Sequence, residues 1–146
     1  MENNKVDILL IEDNMNDAEL SIRAIRKASI NNTILHLKDG AEALDFLFGS
    51  GEFEDRDLKN KPKVILLDLK MPKVDGLEVL VKIKTNKLTK GIPVVVLTSS
   101  NEPNDIDRAY SLGANSYIVK PVDFDKFEKA VTYLCIYWLV FNQDQV

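Results

Sequence analysis

The 146 residues are 45% hydrophobic and 29% charged, the balance of one ordinary globular domain and not of a disordered or fibrous chain. Nineteen Lys and Arg against 23 Asp and Glu leave a net charge of −4, which argues against nonspecific partnership with nucleic acid or anionic lipid. One cysteine, Cys135, and one histidine, His36, exclude an internal disulfide and a Cys- or His-rich metal cluster. The longest apolar run, Tyr133 to Phe141, falls well short of the roughly 20 residues that span a bilayer, so no membrane partner is expected. No signal peptide is visible at the start, and a cytoplasmic location is the expectation.

In chain order, short aliphatic runs at Ile8–Ile11, Val64–Leu67, Val94–Leu97 and Tyr117–Val119 read as strands buried on both faces, with a weaker one at Thr33–Leu37. Helical spacing separates them. Asn16 reads as the N-cap of a first helix, with Glu19 reaching back and Ala18, Ile22 and Ile25 on one face. Ala41–Phe48, Leu77–Lys84 and Asp105–Leu112 follow, the last ended by Gly113, and Asp125–Phe141 is the longest. Five strand–helix repeats predict an α/β domain with a parallel sheet and helices on both faces. The stretch from Gly49 to Lys63 is too long for an ordinary αβ connection and dense in charge; it reads as a solvated insertion or a partner-recognition loop.

Parallel α/β sheets place ligand sites at the carboxyl ends of their strands. There the chain carries Glu12 and Asp13, Asp68, Thr98, and Lys120 followed by Pro121. Carboxylates packed together resist ionising, and a hard divalent cation such as Mg²⁺, or Mn²⁺ in its place, relieves them. Lys120 and Thr98 add a fixed charge and a hydroxyl suited to a phosphoryl group, and an aspartate can be the nucleophile that takes it. Singly each residue reads as a cap or turn; together, after successive strands, they read as a site.

With Ile11-Glu12-Asp13, Asp39-Gly40, Leu67 through Pro72, Asp75-Gly76, Leu97-Thr98-Ser99, Gly113-Ala114 and Lys120-Pro121 in order, the chain resembles a response-regulator receiver domain of two-component signalling. The resemblance covers about residues 5–141. It implies a flavodoxin-like, doubly wound fold of five parallel strands in the order 2-1-3-4-5 with five helices. It also implies Asp68 as phosphoacceptor, Asp13 and the Lys70 carbonyl as direct metal ligands with Glu12 acting through water, Thr98 and Lys120 as switch hydroxyl and lysine, Tyr117 as the switch aromatic, and a cis Lys120–Pro121 bond. Phosphorylation would draw Thr98 in and let Tyr117 rotate inward. The side chains at positions 70 and 100 would tune the lifetime of the acyl phosphate.

Little chain follows Phe141, so a single receiver over residues 1–146 with no output domain is expected, signalling by protein contact or phosphoryl relay. On the last helix, Phe127, Val131, Leu134, Trp138 and Phe141 form a stripe that can dock on a sheet. Tyr133, Ile136, Tyr137 and Val140 form a second, read as a homodimer or kinase-binding surface, with packing under a neighbouring loop as the alternative. Cys135 reads as a small buried side chain. The charged loop and the Tyr137-Trp138-Leu139 ending are similar to single-domain regulators of bacterial and cyanobacterial phytochrome kinases, which makes a phytochrome-type histidine kinase the expected partner. His36 reads as a strand polar residue and not a phosphotransfer group. A flavin carrier would need a Ser/Thr/Gly-rich phosphate loop where Glu12-Asp13-Asn14 stands, and aspartate-nucleophile phosphatases commonly carry an Asp where Lys70 stands. A phosphorylation-independent pseudo-receiver would not need the intact acid pair, Thr98 and Lys120.

Overall fold

A computed structural model describes residues 5–27, 32–71, 73–120 and 123–141, without the side chains of Cys135, Val140 and Phe141. Strands β1 (Ile8–Ile11), β2 (Ile34–Leu37), β3 (Val64–Leu67), β4 (Val94–Thr98) and β5 (Ser116–Val119) alternate with five helices. These are α1 (Met15–Lys27), α2 (Gly40–Phe48), α3 (Gly76–Lys84), α4 (Pro103–Ser111) and α5 (Phe124–Ile136). The sheet is parallel throughout, in the order β2-β1-β3-β4-β5. This is the flavodoxin-like, doubly wound order that the resemblance implies.

The period of two along each strand divides the core. Leu9, Ile11, Ile65, Leu67, Val94 and Val96 face one cluster with Ala43, Phe46 and Leu47 of α2, Val79, Leu80 and Ile83 of α3, and Ala109 of α4. Ile8, Leu10, Val64, Leu66, Val95 and Leu97 face the other, with Ala18 and Ile25 of α1 and Phe127 and Val131 of α5. The expectation of burial on both faces holds for β1, β3 and β4. It fails for β2 and β5, which are only partly covered because they form the sheet edges.

Helix ends also differ from expectation. The N-cap of α1 is Asn14, not Asn16: its Oδ1 accepts the Asp17 N–H at 3.0 Å. That puts Asp17 in the first turn, and Glu19 lies 3.7 Å from Arg23 on an exposed face instead of closing a capping box. Asp39 and Asp75 cap α2 and α3 through side-chain oxygens that accept backbone N–H groups. The last helix is α-helical only to Ile136, and a wider π-type turn carries Tyr137–Phe141.

The stretch from Gly49 to Lys63 is charged at its surface but anchored. A 3-10 turn at Gly51–Phe53 sets the Phe53 ring edge-on to Phe46 with centroids 5.2 Å apart. The Arg56 guanidinium sits 4.0 Å over the Phe46 ring and donates to the Asn60 carbonyl. Among the described residues, no helix is long and apolar enough to cross a membrane.

Candidate functional site

The parallel register carries the ends of β1, β3, β4 and β5 to one rim. Glu12 and Asp13 follow β1. Asp68 follows β3, with its N–H bonded to the Ile11 carbonyl at 3.0 Å. Lys120 follows β5, and its N–H donates to the Thr98 carbonyl at 2.7 Å. One carboxylate oxygen each from Glu12, Asp13 and Asp68 lies within 4.8 Å of the others. Glu12 and Asp68 are buried, and Asp13 is the most solvent-facing of the three.

The Lys120 Nζ donates to Glu12 Oε1 at 2.5 Å and to Asp17 Oδ2 at 3.0 Å, and stands 3.8 Å from Asp68 Oδ2. Burial pushes the Glu12 carboxyl up to about 8, with the nearby Asp68 charge adding to the rise and the Lys120 bond opposing it. Burial alone would lower the Lys120 ammonium, but its bond to Glu12 and the charges of Glu12 and Asp68 outweigh that, so its pKa moves up.

Thr98 is fully buried at the end of β4, and its Oγ1 accepts the Ser100 N–H at a long 3.5 Å. Tyr117, half-buried on β5, donates its hydroxyl to the Ser100 carbonyl at 2.9 Å. The Lys70 N–H faces Asp68 Oδ1 at 3.4 Å. Its ammonium lies 3.6 Å from Asp105 Oδ2 on α4, the same oxygen that accepts the Ser100 hydroxyl at 2.5 Å. Positions 70 and 100 are therefore joined to each other through α4. Pro121, and with it the expected cis bond, lies outside the described residues.

Three participants were not legible along the chain. Asp17 looks like an ordinary acid in a helix first turn, the place where the helix dipole favours one. His36, read as a strand polar residue, places Nε2 2.7 Å from the Glu12 carbonyl oxygen and so braces the acid pair from β2. Asp105 enters the sequence pattern only as the start of the helix expected over Asp105–Leu112. The only available signal was position: Asp17 lies five residues past Glu12, in the first turn of a helix that begins at the rim.

The predicted interface residues divide. Tyr133 is 69% exposed and Tyr137 49%, Ile136 is half-buried, and the Val140 side chain lies outside the described residues. Phe127 and Val131 are buried, with Leu134 and Trp138 packed against them, as the first stripe predicts; the side chains of Phe141 and Cys135 are not described.

Residues 8–132 match the response regulator receiver domain family. The chain belongs to that family. Among its relatives, the probable methanogenesis regulatory protein FilR2 of Methanothrix harundinacea is 42% identical over 93% of this receiver and 85% of its own length. Response regulator Rcp1 of Synechocystis is 39% identical over 90% of this receiver and 88% of its own length. The Mn²⁺-bound form of Rcp1 superposes with a TM-score of 0.87 at 37% identity, covering 97% of this receiver and 99% of that chain. The phosphorylated cyanobacterial phytochrome response regulator RcpA does so at 0.88 and 34%, with the same coverage. This receiver is thus similar to single-domain phytochrome response regulators.

The acid cluster fits a divalent cation. Its donors are hard carboxylate oxygens from three residues within 4.8 Å of one another, and two of the three residues are buried.

Proposed function

We propose that this receiver accepts a phosphoryl group on Asp68 from a sensor histidine kinase of the phytochrome type and signals through a changed protein-binding surface. The observation that carries this reading is the Asp68 carboxylate at the end of β3, with Glu12 and Asp13 within 4.8 Å and the Lys120 ammonium 3.8 Å away. Transfer forms a bond from an Asp68 oxygen to phosphorus as the donor's bond to phosphorus breaks, and the donor keeps the electron pair. Asp13, Asp68 and the Lys70 carbonyl would hold Mg²⁺, with Glu12 acting through water. The bound ion would neutralise charge on the transferring group. Lys120 and the Thr98 hydroxyl then meet the new oxygens. The Thr98 contact to Ser100 N–H is long and weak, so the hydroxyl reorients at little cost. Tyr117 is bonded to the same Ser100, so movement at Thr98 passes to the β4–α4 connection and to α4.

The test is incubation with Mg²⁺ and a small acyl phosphate, followed by intact mass. The wild type is expected to gain one phosphoryl group and Asp68→Asn none. Uptake by Asp68→Asn would move the acceptor elsewhere, and no uptake by the wild type would support a pseudo-receiver that binds partners without phosphorylation.

Output by protein contact needs a surface for the partner. The exposure of Tyr133 and Tyr137 on the last helix supports self-association there. Tyr133→Glu combined with Ile136→Glu is expected to shift a dimer to monomer in sedimentation velocity. An unchanged sedimentation coefficient would assign this face to the kinase instead.

A further inference from the structure

The Lys120 ammonium is anchored on two carboxylates that are not the acceptor. It lies within hydrogen-bond distance of Glu12 at 2.5 Å and Asp17 at 3.0 Å, and beyond it from Asp68 at 3.8 Å. The three acids come from three places: the end of β1, the first turn of α1 and the end of β3. Asp17 is itself held by the helix start, since Asn14 Oδ1 accepts its N–H. The Lys120 side chain is only 13% exposed, so water screens these attractions weakly at the ammonium.

We propose that Asp17 is a positioning residue: with Glu12 it holds the Lys120 ammonium off the Asp68 carboxylate until that carboxylate carries a phosphoryl group. The inference rests on the reading of Asp68 as acceptor. An ammonium bonded directly to Asp68 would occupy a lone pair and weaken the nucleophile. Two anchors use two of the three Nζ–H donors and leave the third for phosphoryl oxygens, which extend further from the strand than the carboxylate does. Take away the Asp17 charge and one anchor goes. The attraction of Asp68 across 3.8 Å then closes the gap.

Two readouts test this: crystal structures of metal-free wild type and Asp17→Asn, and phosphorylation rates by intact mass over a range of acyl phosphate concentrations with Mg²⁺. In Asp17→Asn, Nζ is expected to move within hydrogen-bond distance of Asp68. The maximal rate is expected to fall about fivefold, with the half-saturating donor concentration unchanged or lower. Asp17→Glu, which keeps the charge, is expected to recover most of the rate. An ammonium still out of reach of Asp68, or a maximal rate equal to wild type, overturns the proposal, whatever happens to the stability of α1. Failure of the wild type to take a phosphoryl group would sink the acceptor reading instead, and the crystallographic distance would then decide the anchoring alone.

Discussion

Lys120→Met is expected to cost the metal-free protein about 3 kcal/mol of stability near pH 9, where Glu12 is ionised, and about 2 kcal/mol near pH 5. Lys120 is the cation that the described residues bring to Glu12, Asp17 and Asp68 together, and its side chain is mostly buried. Truncating one partner of a buried pair leaves the other charge without compensation. The pH dependence comes from Glu12, whose folded pKa rises from 4.5 to about 8. Below 4.5 both folded and unfolded chains carry the proton. Between 4.5 and about 8 the unfolded chain releases it while the folded chain keeps it, so stability declines as pH rises. The raised Lys120 pKa acts in the opposite range: its contribution is fully present below 10.5 and is lost only as pH climbs past the folded value. A variant without Lys120 therefore suffers most where Glu12 is ionised and least where it is neutral. Urea unfolding in a chelator at the two pH values measures the difference. An equal loss at both would remove Glu12 as its source.

Gly76→Ala is expected to destabilise the fold by about 3 kcal/mol, the upper end for overpacking, because the obstacle is backbone. A Cβ on Gly76 would lie 2.3 Å from the Asp68 carbonyl oxygen and 2.5 Å from Leu69 Cα. Neither can swing aside as a flexible side chain would. The Gly76 N–H also donates to the Leu69 carbonyl at 2.9 Å, so the start of α3 cannot retreat without giving up that bond. The Asp68–Leu69 segment is thus clamped from behind by the first residue of α3, directly after its cap, Asp75. Denaturant midpoints provide the measure, and Mn²⁺ affinity should fall in parallel as Asp68 shifts. A loss below about 1 kcal/mol would mean that the helix can slide, and that the glycine does not position Asp68.

Much of the fold was legible because α/β proteins write their layers into local pattern. Ile8–Ile11, Val64–Leu67 and Val94–Leu97 are apolar at every position, which only a strand covered on both faces requires. The same pattern misled at Tyr117–Val119, where an apolar edge strand looks like an interior one. Asn14 and Asn16 are both good caps, and only the Asn14 bond to Asp17 N–H distinguishes them. The extension of the last helix to Phe141 failed for a different reason: side-chain spacing does not distinguish a regular helix from one that widens to π geometry.

By itself, the order of residues determined that this is a five-stranded α/β domain, that Glu12, Asp13, Asp68, Thr98 and Lys120 fall just past strand ends, and that those ends carry acids and a lysine suited to a metal and a phosphoryl group. These properties depend on neighbours in the chain, through period and strand length. Only the tertiary structure decided which partners those groups choose. Asp17 and Lys120 are 103 residues apart and His36 and Glu12 are 24 apart, and they meet because the sheet order sets their ends on one rim. A contact of that kind depends on where whole elements pack, and no local pattern encodes a distance between elements.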